Sequence, residues 1–420
     1  MKVLLISTGI DNKEGFAIIQ GNRNRPLFPM LALPWLAALT PDDIQVEIFD
    51  EAHGLLTEKI EADLVGISGM TMHANRMYRL ADDYRDMGIP VVLGGIHVTF
   101  MQKEALQHAD AIVVGEAEKV WPVLLQDFQN SQLKKIYCSS SPAELDTLPP
   151  PRLDLADGPA YRPPLGYLNS VMSTRGCPYS CSFCCVSKMF GRKMRFRPIE
   201  HVIAEISALP PHFPIFFSDD NLIGNRNYAK KLFYALLPLK RKWGAQMSLK
   251  IAEDDELLRL AALSGCYSVF LGIESVNPNN IIHINKKNVN AVEKYAEFIR
   301  KIHDVGIEIM GSFIVGLEDD DERVFEDIYD FVDKNKIKVP LVGILTPFPG
   351  TDIFFELEQQ GRIIDKNWDK YNLAHTVFKP QKMSPEQLDQ GYFELIRHLN
   401  RLRFRNDIIH FSTMSAFTQA

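Results

Sequence analysis

The sequence predicts an α/β protein in three parts. A doubly wound, Rossmann-like parallel sheet occupies residues 1–138, a partial (β/α)6 TIM-type barrel 169–370, and a C-terminal helical segment 371–420. Three observations carry that reading. Short, continuous apolar runs recur along the chain and end in small or polar residues, as strands buried on both faces do. Amphipathic stretches fall between them, and repeated strand–helix alternation implies parallel pairing with right-handed crossovers. The alternation breaks off once, over 139–168, where Ser139-Ser140-Ser141, Pro149-Pro150-Pro151 and Pro163-Pro164 make an extended linker.

In the first part the apolar runs are 3–7, 46–50, 64–68, 91–94 and 111–114. Helices are expected over 75–87, 104–108 and 120–128. The first places Met77, Leu80, Ala81 and Tyr84 at helical spacing and stops at Gly88. Ligands of such sheets bind beyond the carboxyl ends of the strands. Those ends read Ser7-Thr8-Gly9, Ser68-Gly69-Met70-Thr71, Gly94-Gly95 and Gly115-Glu116. Six further strands are expected at 170–173, 215–218, 247–251, 268–273, 308–315 and 342–345, enough for a full or partial parallel barrel. A last amphipathic helix runs over 384–405, opened by Ser384-Pro385-Glu386.

Composition excludes several classes. The chain has 420 residues with a formal net charge of -7, against the basic face that nucleic-acid binding requires. No apolar run approaches the roughly 18 residues of a membrane span, and the N-terminal MKVLLISTG is too short for a signal peptide core. Six cysteines cannot staple 420 residues, so a reducing, cytoplasmic setting is the expectation.

Those cysteines are unevenly placed. Cys177-Pro178-Tyr179-Ser180-Cys181-Ser182-Phe183-Cys184 brings three thiols into eight positions, with Cys185 next to them; Cys138 and Cys266 stand alone. Three ligands are one short of a closed [4Fe–4S] or structural zinc site, which leaves one iron open to substrate. The plainer alternative is a zinc knuckle with a fourth ligand elsewhere, Cys185 included, although no histidine follows at finger spacing.

Cys-x3-Cys-x-Phe-Cys, placed just after the first barrel strand, resembles the radical S-adenosylmethionine (SAM) superfamily. The resemblance implies a [4Fe–4S] cluster on Cys177, Cys181 and Cys184, with the open iron chelated by SAM and Phe183 near the adenine. It implies further SAM contacts at later strand ends. These are Ser218, Asp219 and Asp220, where the family more often carries Gly-Gly-Glu, then Lys250, Glu274 and Ser275, Gly311, and Pro347. Reductive cleavage of SAM to a 5′-deoxyadenosyl radical is the implied activity, with a low-potential electron donor such as flavodoxin or ferredoxin as partner.

The first part is similar to the cobalamin-binding-type domain that precedes the barrel in one radical SAM branch. Ala62–Ser68, Ile89–Gly95 and Ala109–Glu116 carry that likeness. It implies cobalamin held by Ser7, Thr8, Gly9, Ser68, Gly69, Met70, Thr71, Gly94, Gly95, His97, Thr99, Gly115 and Glu116. The sequence departs from many cobalamin proteins in having no cobalt-ligating histidine over 7–15, and His53 stands at the wrong spacing to replace it. Cobalamin-dependent C-methylation of an unactivated carbon is the function expected from the whole pattern. A radical SAM cyclase, lyase or oxidoreductase without methylcobalamin is the alternative, and an iron–sulfur sensor or scaffold the non-enzyme one. The substrate is a small molecule, lipid or peptide. The basic run Arg192, Lys193, Arg195, Arg197 and the acidic run 318–322 read as solvated faces.

Overall fold

Val3, Leu4, Leu5 and Ile6 are all buried, which a strand achieves only when both faces are covered. They form β1 (Lys2–Ser7) in a computed structural model that describes residues 1–10, 30–155 and 168–405. The prolines at 163 and 164, and the tail beyond Arg405, lie outside the described residues. The described chain divides into two units: 1–10 and 30–155 with Asn367–Tyr371, and 168–366 with 372–405.

The first unit continues with α1 (Ala32–Ala38), β2 (Gln45–Asp50), β3 (Leu64–Ser68), α2 (Ala74–Asp86) and β4 (Val91–Gly94). It closes with α3 (Ile96–Phe100), α4 (Gln102–Ala105), β5 (Ala111–Val114), α5 (Trp121–Gln129) and β6 (Ile136–Cys138). The sheet runs β2-β1-β3-β4-β5-β6, with every pairing parallel. Chain order reverses between β1 and β3, so Ser7 and Ser68, which pair in register, flank the crevice where such sheets bind ligands.

Three local differences from the sequence reading have physical causes. The apolar stretch around Pro34 is a helix, because a proline in the first turn removes no hydrogen bond that the helix needs. The helix expected over 104–108 is replaced by α3 and α4, started earlier where Gly95 turns the chain at φ +97°. β6 is an edge strand too short for a periodic signal: only Tyr137 of its three residues is buried.

The residues of the linker before 156 pack on this first unit. Ala143, Leu145 and Leu148 are buried, and Trp35 Nε1 donates to the Pro149 carbonyl at 3.1 Å. Asn367–Tyr371 also belongs here. Trp368 and Tyr371 are buried, Trp368 Nε1 donates to Glu104 Oε1 at 2.7 Å, and Asn75 Nδ2 donates to Asn367 Oδ1 at 2.7 Å.

Gly95 is a test of this rim. A Cβ there would lie 2.8 Å from the Gly69 carbonyl oxygen and 2.9 Å from Ser68 Oγ, on a backbone that disfavours any side chain. Gly95→Ala is expected to cost about 1–3 kcal/mol, read as a lowered denaturation midpoint. An unchanged midpoint would refute the close packing.

The second unit begins with β7 (Asn169–Val171) and a short antiparallel pair, β8 (Thr174–Arg175) with β9 (Arg195–Phe196). That pair pins both ends of the loop bearing the cysteines, within which α6 (Val186–Met189) forms. There follow α7 (Ile199–Ala208), β10 (Ile215–Phe217), α8 (Arg226–Leu236), β11 (Trp243–Met247) and α9 (Asp255–Leu263). The rest is β12 (Cys266–Glu274), α10 (Pro278–His283), α11 (Tyr295–Asp304), β13 (Glu308–Val315), α12 (Val324–Lys334), β14 (Val339–Ile344), α13 (Asp352–Gln359) and α14 (Pro385–Arg405). The six-stranded sheet β14-β13-β12-β11-β10-β7 is wholly parallel, the partial barrel that the alternation predicts. α14 buries Leu388, Tyr392, Leu395 and Leu399, one face at helical spacing, and packs on α12 and β14.

The third barrel strand lies earlier than expected. Trp243–Met247 is the strand and residues 249–253 form a 3-10 turn, because Gly244 and Gln246 interrupt the apolar run that marks a strand in sequence. The charged runs are less solvated than their composition implies. Arg197 is buried in an ion pair with Glu205 at 2.6 Å. Asp320 is also buried, accepting from the Gly316 and Leu317 amides and from Asn280 Nδ2, while burial pushes its carboxyl up to about 7.

Candidate functional site

Cys177, Cys181 and Cys184 occupy one loop, partly exposed and free of disulfides, as is Cys185 at the start of α6. Gly176 enters that loop at φ +92°. The Cys184 amide donates to the Cys181 carbonyl at 3.1 Å, and Asn221 Nδ2 approaches Cys177 Sγ at 3.9 Å. The loop is tied to the end of α10 and the start of α13 as well. The Ser182 amide donates to the Ile284 carbonyl, the Ile353 amide to the Ser182 carbonyl, and Asn285 Nδ2 to the Ser180 carbonyl.

Burial raises all three thiols, Cys184 to about 12, so none is a ready nucleophile at neutral pH. A bound metal deprotonates such groups outright, and the set therefore fits metal ligands better than a catalytic thiol. Among the described residues no three His, Cys, Asp or Glu converge on one ion position. A [4Fe–4S] cluster takes each thiolate on a different iron, so three cysteines leave one iron open. The donor set fits a [4Fe–4S] cluster with one corner left open.

The expected SAM positions divide. Asp219 is fully occupied within the protein: its carboxylate accepts from the Ser173 and Thr174 amides and hydroxyls, sewing β7 to the end of β10. Ser218 donates its amide and hydroxyl to the Val171 carbonyl. Asp220, less buried, accepts from the Gly176 amide at the mouth of the cysteine loop, and burial pushes its carboxyl up to about 6. Lys250 lies on the 3-10 turn, its ammonium 6.0 Å from the Tyr179 ring. Gly311 sits mid-strand, where a Cβ would meet Ile273 and Ile337 in the core, and Pro347 is buried. Ser275 is buried, accepting from the Asn277 amide.

Glu274 has the most unusual geometry. It ends β12 at φ +65°, in the left-handed region, where the pairing with β13 skips a residue. Its carboxylate meets Lys286 Nζ at 2.5 Å, and Lys286 also donates to the Gly272 carbonyl at 2.9 Å. Asn290 Nδ2 and Tyr295 Oη donate to the Ile273 carbonyl, holding the strained end in place. The Lys286 ammonium lies 5.9 Å from the Phe183 ring, so the strand end and the cysteine loop share this one buried cation. Although burial works against the charge, Glu274 and the Cys181 side hold Lys286 above its ordinary value. Sequence reading passed over Lys286 because a lysine after Asn285 carries no motif by itself.

In the first unit the strand-end residues do gather on the carboxyl edge, with differing duties. Gly94 and Gly115 leave room: a Cβ on Gly94 would meet only Val113, at 3.8 Å, and one on Gly115 nothing within 4 Å. Met70 is exposed, and Ser68 and Glu116 are partly so. Open small residues beside polar ones fit the approach of a large flat ring such as a corrin. Thr8 and Thr71 are buried, and Thr8 donates its amide and hydroxyl to the Ser68 carbonyl. Gly9 is pressed against Glu51 and donates its amide to that carboxylate at 3.0 Å. A Cβ on Gly69 would lie 2.5 Å from Thr8 Oγ1, and Thr99 Oγ1 accepts from the Gly115 amide. These positions build the rim from beneath. His97 is fully buried, 3.0 Å from the Tyr78 hydroxyl and edge-on to Trp368, so its ring stands below the rim and not on it. The side chain of His53 is outside the described residues.

Comparison with known proteins agrees with both units. Residues 171–332 match the radical SAM superfamily, and 43–125 match the B12 binding domain. The chain is 32% identical to bacteriochlorophyllide d C-12(1)-methyltransferase of Chlorobaculum tepidum, over 88% of this chain and 82% of that one. It is 33% identical to the C-8(2)-methyltransferase of the same organism, over 87% and 83%. In fold it is similar to the radical SAM methyltransferase TsrM of Kitasatospora setae, solved with cobalamin and a [4Fe–4S] cluster. That match has a TM-score of 0.69 at 17% identity and covers 100% of this chain and 96% of that one.

Proposed function

The chain belongs to the radical SAM superfamily, in the branch that carries a B12-binding domain, and from that membership we propose that it methylates an unactivated carbon of a small molecule in a cobalamin-dependent reaction. When bound, the cluster supplies the electron that cleaves SAM to a 5′-deoxyadenosyl radical, and cobalamin carries the methyl group. The observation that carries the reading is the pairing of a three-thiol loop with a strained, carboxylate-bearing strand end beside it, in a chain whose other unit presents an open glycine rim.

This chain's own residues bind and orient. Cys177, Cys181 and Cys184 would hold the cluster, and Phe183 lies on the same loop. Glu274, paired with Lys286 at 2.5 Å, offers a carboxylate that suits a sugar diol. Gly94 and Gly115, with Ser68, Met70 and Glu116, would admit the corrin. Among the described residues no helix is long and apolar enough to cross a membrane. A reducing cytoplasm suits the free thiols, and a flavodoxin- or ferredoxin-like donor suits the electron that the reaction consumes.

Anaerobic reconstitution tests the reading. With iron, sulfide, reductant and SAM the protein is expected to release 5′-deoxyadenosine. Cells grown with cobalamin should yield protein with bound corrin. Retained SAM cleavage in protein strictly without corrin, together with a cyclised or oxidised product, would replace methyl transfer with the cyclase or oxidoreductase alternative. No 5′-deoxyadenosine from a fully loaded cluster would sink the enzyme reading altogether.

A further inference from the structure

Gln246 is out of place for its strand. It lies in β11, between β10 and β12 of a wholly parallel sheet, where side chains are ordinarily apolar and covered. Yet it is exposed, and its amide has no hydrogen-bond partner among the described residues. Trp243, Ala245 and Met247 of the same strand belong to the core shared with the helices, so Gln246 points to the opposite, inner face of the sheet. Phe270 pairs with Gln246 and with Met310 on that face, and Ser312 pairs with Leu341. These four are only half-buried, whereas their strand neighbours Leu271, Ile309, Phe313 and Val342 are core. Beyond β14, Leu373 takes φ +66°, a conformation rare for a bulky side chain, and stays 38% exposed. Its carbonyl accepts the Ile344 amide at 2.8 Å, and a Cβ on Gly343 would lie 3.2 Å from its own. Strain of that kind persists where function requires it, and open apolar faces with a few polar groups mark ligand sites. The face also reaches the cysteine loop. The Leu222 amide donates to the Gln246 carbonyl at 3.0 Å, and the preceding residue, Asn221, approaches Cys177 Sγ.

We propose that this inner face holds the substrate, that the substrate is a large apolar molecule bearing an uncharged carbonyl or hydroxyl, and that Gln246 reads that group. None of Gln246, Phe270, Met310, Ser312, Leu341 and Leu373 is charged, so an ionised group set against them would lose water and gain no counter-charge. A side-chain amide both donates and accepts, which matches a carbonyl or a hydroxyl. The proposal rests on the methyltransferase reading and adds to it the class of molecule methylated.

The experiment titrates full-length, cluster-reconstituted protein, loaded with SAM, with three fluorescent probes of similar shape: pyrene, 1-acetylpyrene and 1-pyrenecarboxylate. Iron content and SAM affinity are measured on each protein as controls. Wild type is expected to bind acetylpyrene about fivefold more tightly than pyrene, the worth of one neutral hydrogen bond, and the carboxylate most weakly. Gln246→Leu should erase the preference by weakening acetylpyrene alone. Leu341→Trp, which adds bulk to the face from β14, should weaken both neutral probes. Gln246→Glu gives a carbonyl no donor and should also lose the preference; it decides the matter if Gln246→Leu assembles no cluster. Equal wild-type affinity for pyrene and acetylpyrene, a preference that survives at position 246, or tightest binding of the carboxylate would overturn the proposal. So would neutral-probe binding untouched by Leu341→Trp, which places the probes elsewhere, or Gln246→Leu that keeps its iron and loses SAM, which gives the amide to SAM. Wild-type protein that assembles its cluster and releases no 5′-deoxyadenosine would instead strike the functional reading, whatever the probes show.

Discussion

Cys181→Ala is expected to abolish cluster assembly, leaving iron near background and no SAM-dependent 5′-deoxyadenosine. The size of the effect follows from the ligand count. Three thiols are already the minimum for a cluster with one open corner, and no fourth residue can take over without changing the loop. Cys185 is adjacent, but it begins α6, whose Lys188 and Met189 amides donate to its carbonyl, so its backbone is committed to the helix. The fold itself should survive, because Cys181 is partly exposed and outside the apolar core. The check is paired: iron and sulfide analysis, with circular dichroism as the control. Iron close to the wild-type value would contradict the ligand assignment. Cys185→Ala serves as the contrast and is expected to retain the cluster.

The second large effect falls in the other unit. Trp368→Ala should destabilise that unit by about 3–5 kcal/mol, the range for deleting a buried tryptophan. The indole is buried, lies 5.1 Å from the His97 ring and 4.9 Å from Tyr371, and donates to Glu104. Beside it runs the 3-10 turn Thr71–His73, directly after the Ser68–Met70 rim. Loss of the indole should therefore also reduce retained corrin, measured as cobalamin per chain, while iron in the second unit stays near its normal content. Trp368→Phe keeps the packing and loses the Nε1–H donor, so it should fall between the two. A two-unit chain need not unfold in one step, and the first transition of the denaturation curve is the one to follow. An unmoved first transition in Trp368→Ala would show that the segment is not part of that unit's core.

Much of this was readable in the chain because parallel strands buried on both faces leave continuous apolar runs. All five such runs in the first part are strands, and the eight residues 308–315 coincide with β13. What failed to show were elements held by tertiary packing rather than by pattern. β6 has one buried residue, β11 carries Gly244 and Gln246, and Trp368 bonds to Glu104, 264 positions earlier. At the sites, contiguous chemistry was legible and paired chemistry was not. The cysteines announce themselves by spacing. Asp219 reads like a binding carboxylate in sequence, yet its four internal donors come from Ser173 and Thr174, which only the fold brings near. Lys286 and Glu274 are twelve residues apart and meet only because the chain turns back through α10 between them.

The return of Asn367–Tyr371 to the first unit has a consequence for how that unit can be handled. Its sequence is not contiguous, so a fragment cut before the barrel would lack Trp368 and Tyr371 and would leave His97 and Glu104 without their cover. The corrin-binding-type unit is therefore not a cassette that can be excised or exchanged by its N-terminal boundary alone. A chimera that swaps it must carry the five-residue return with it, or lose part of the core beneath its rim.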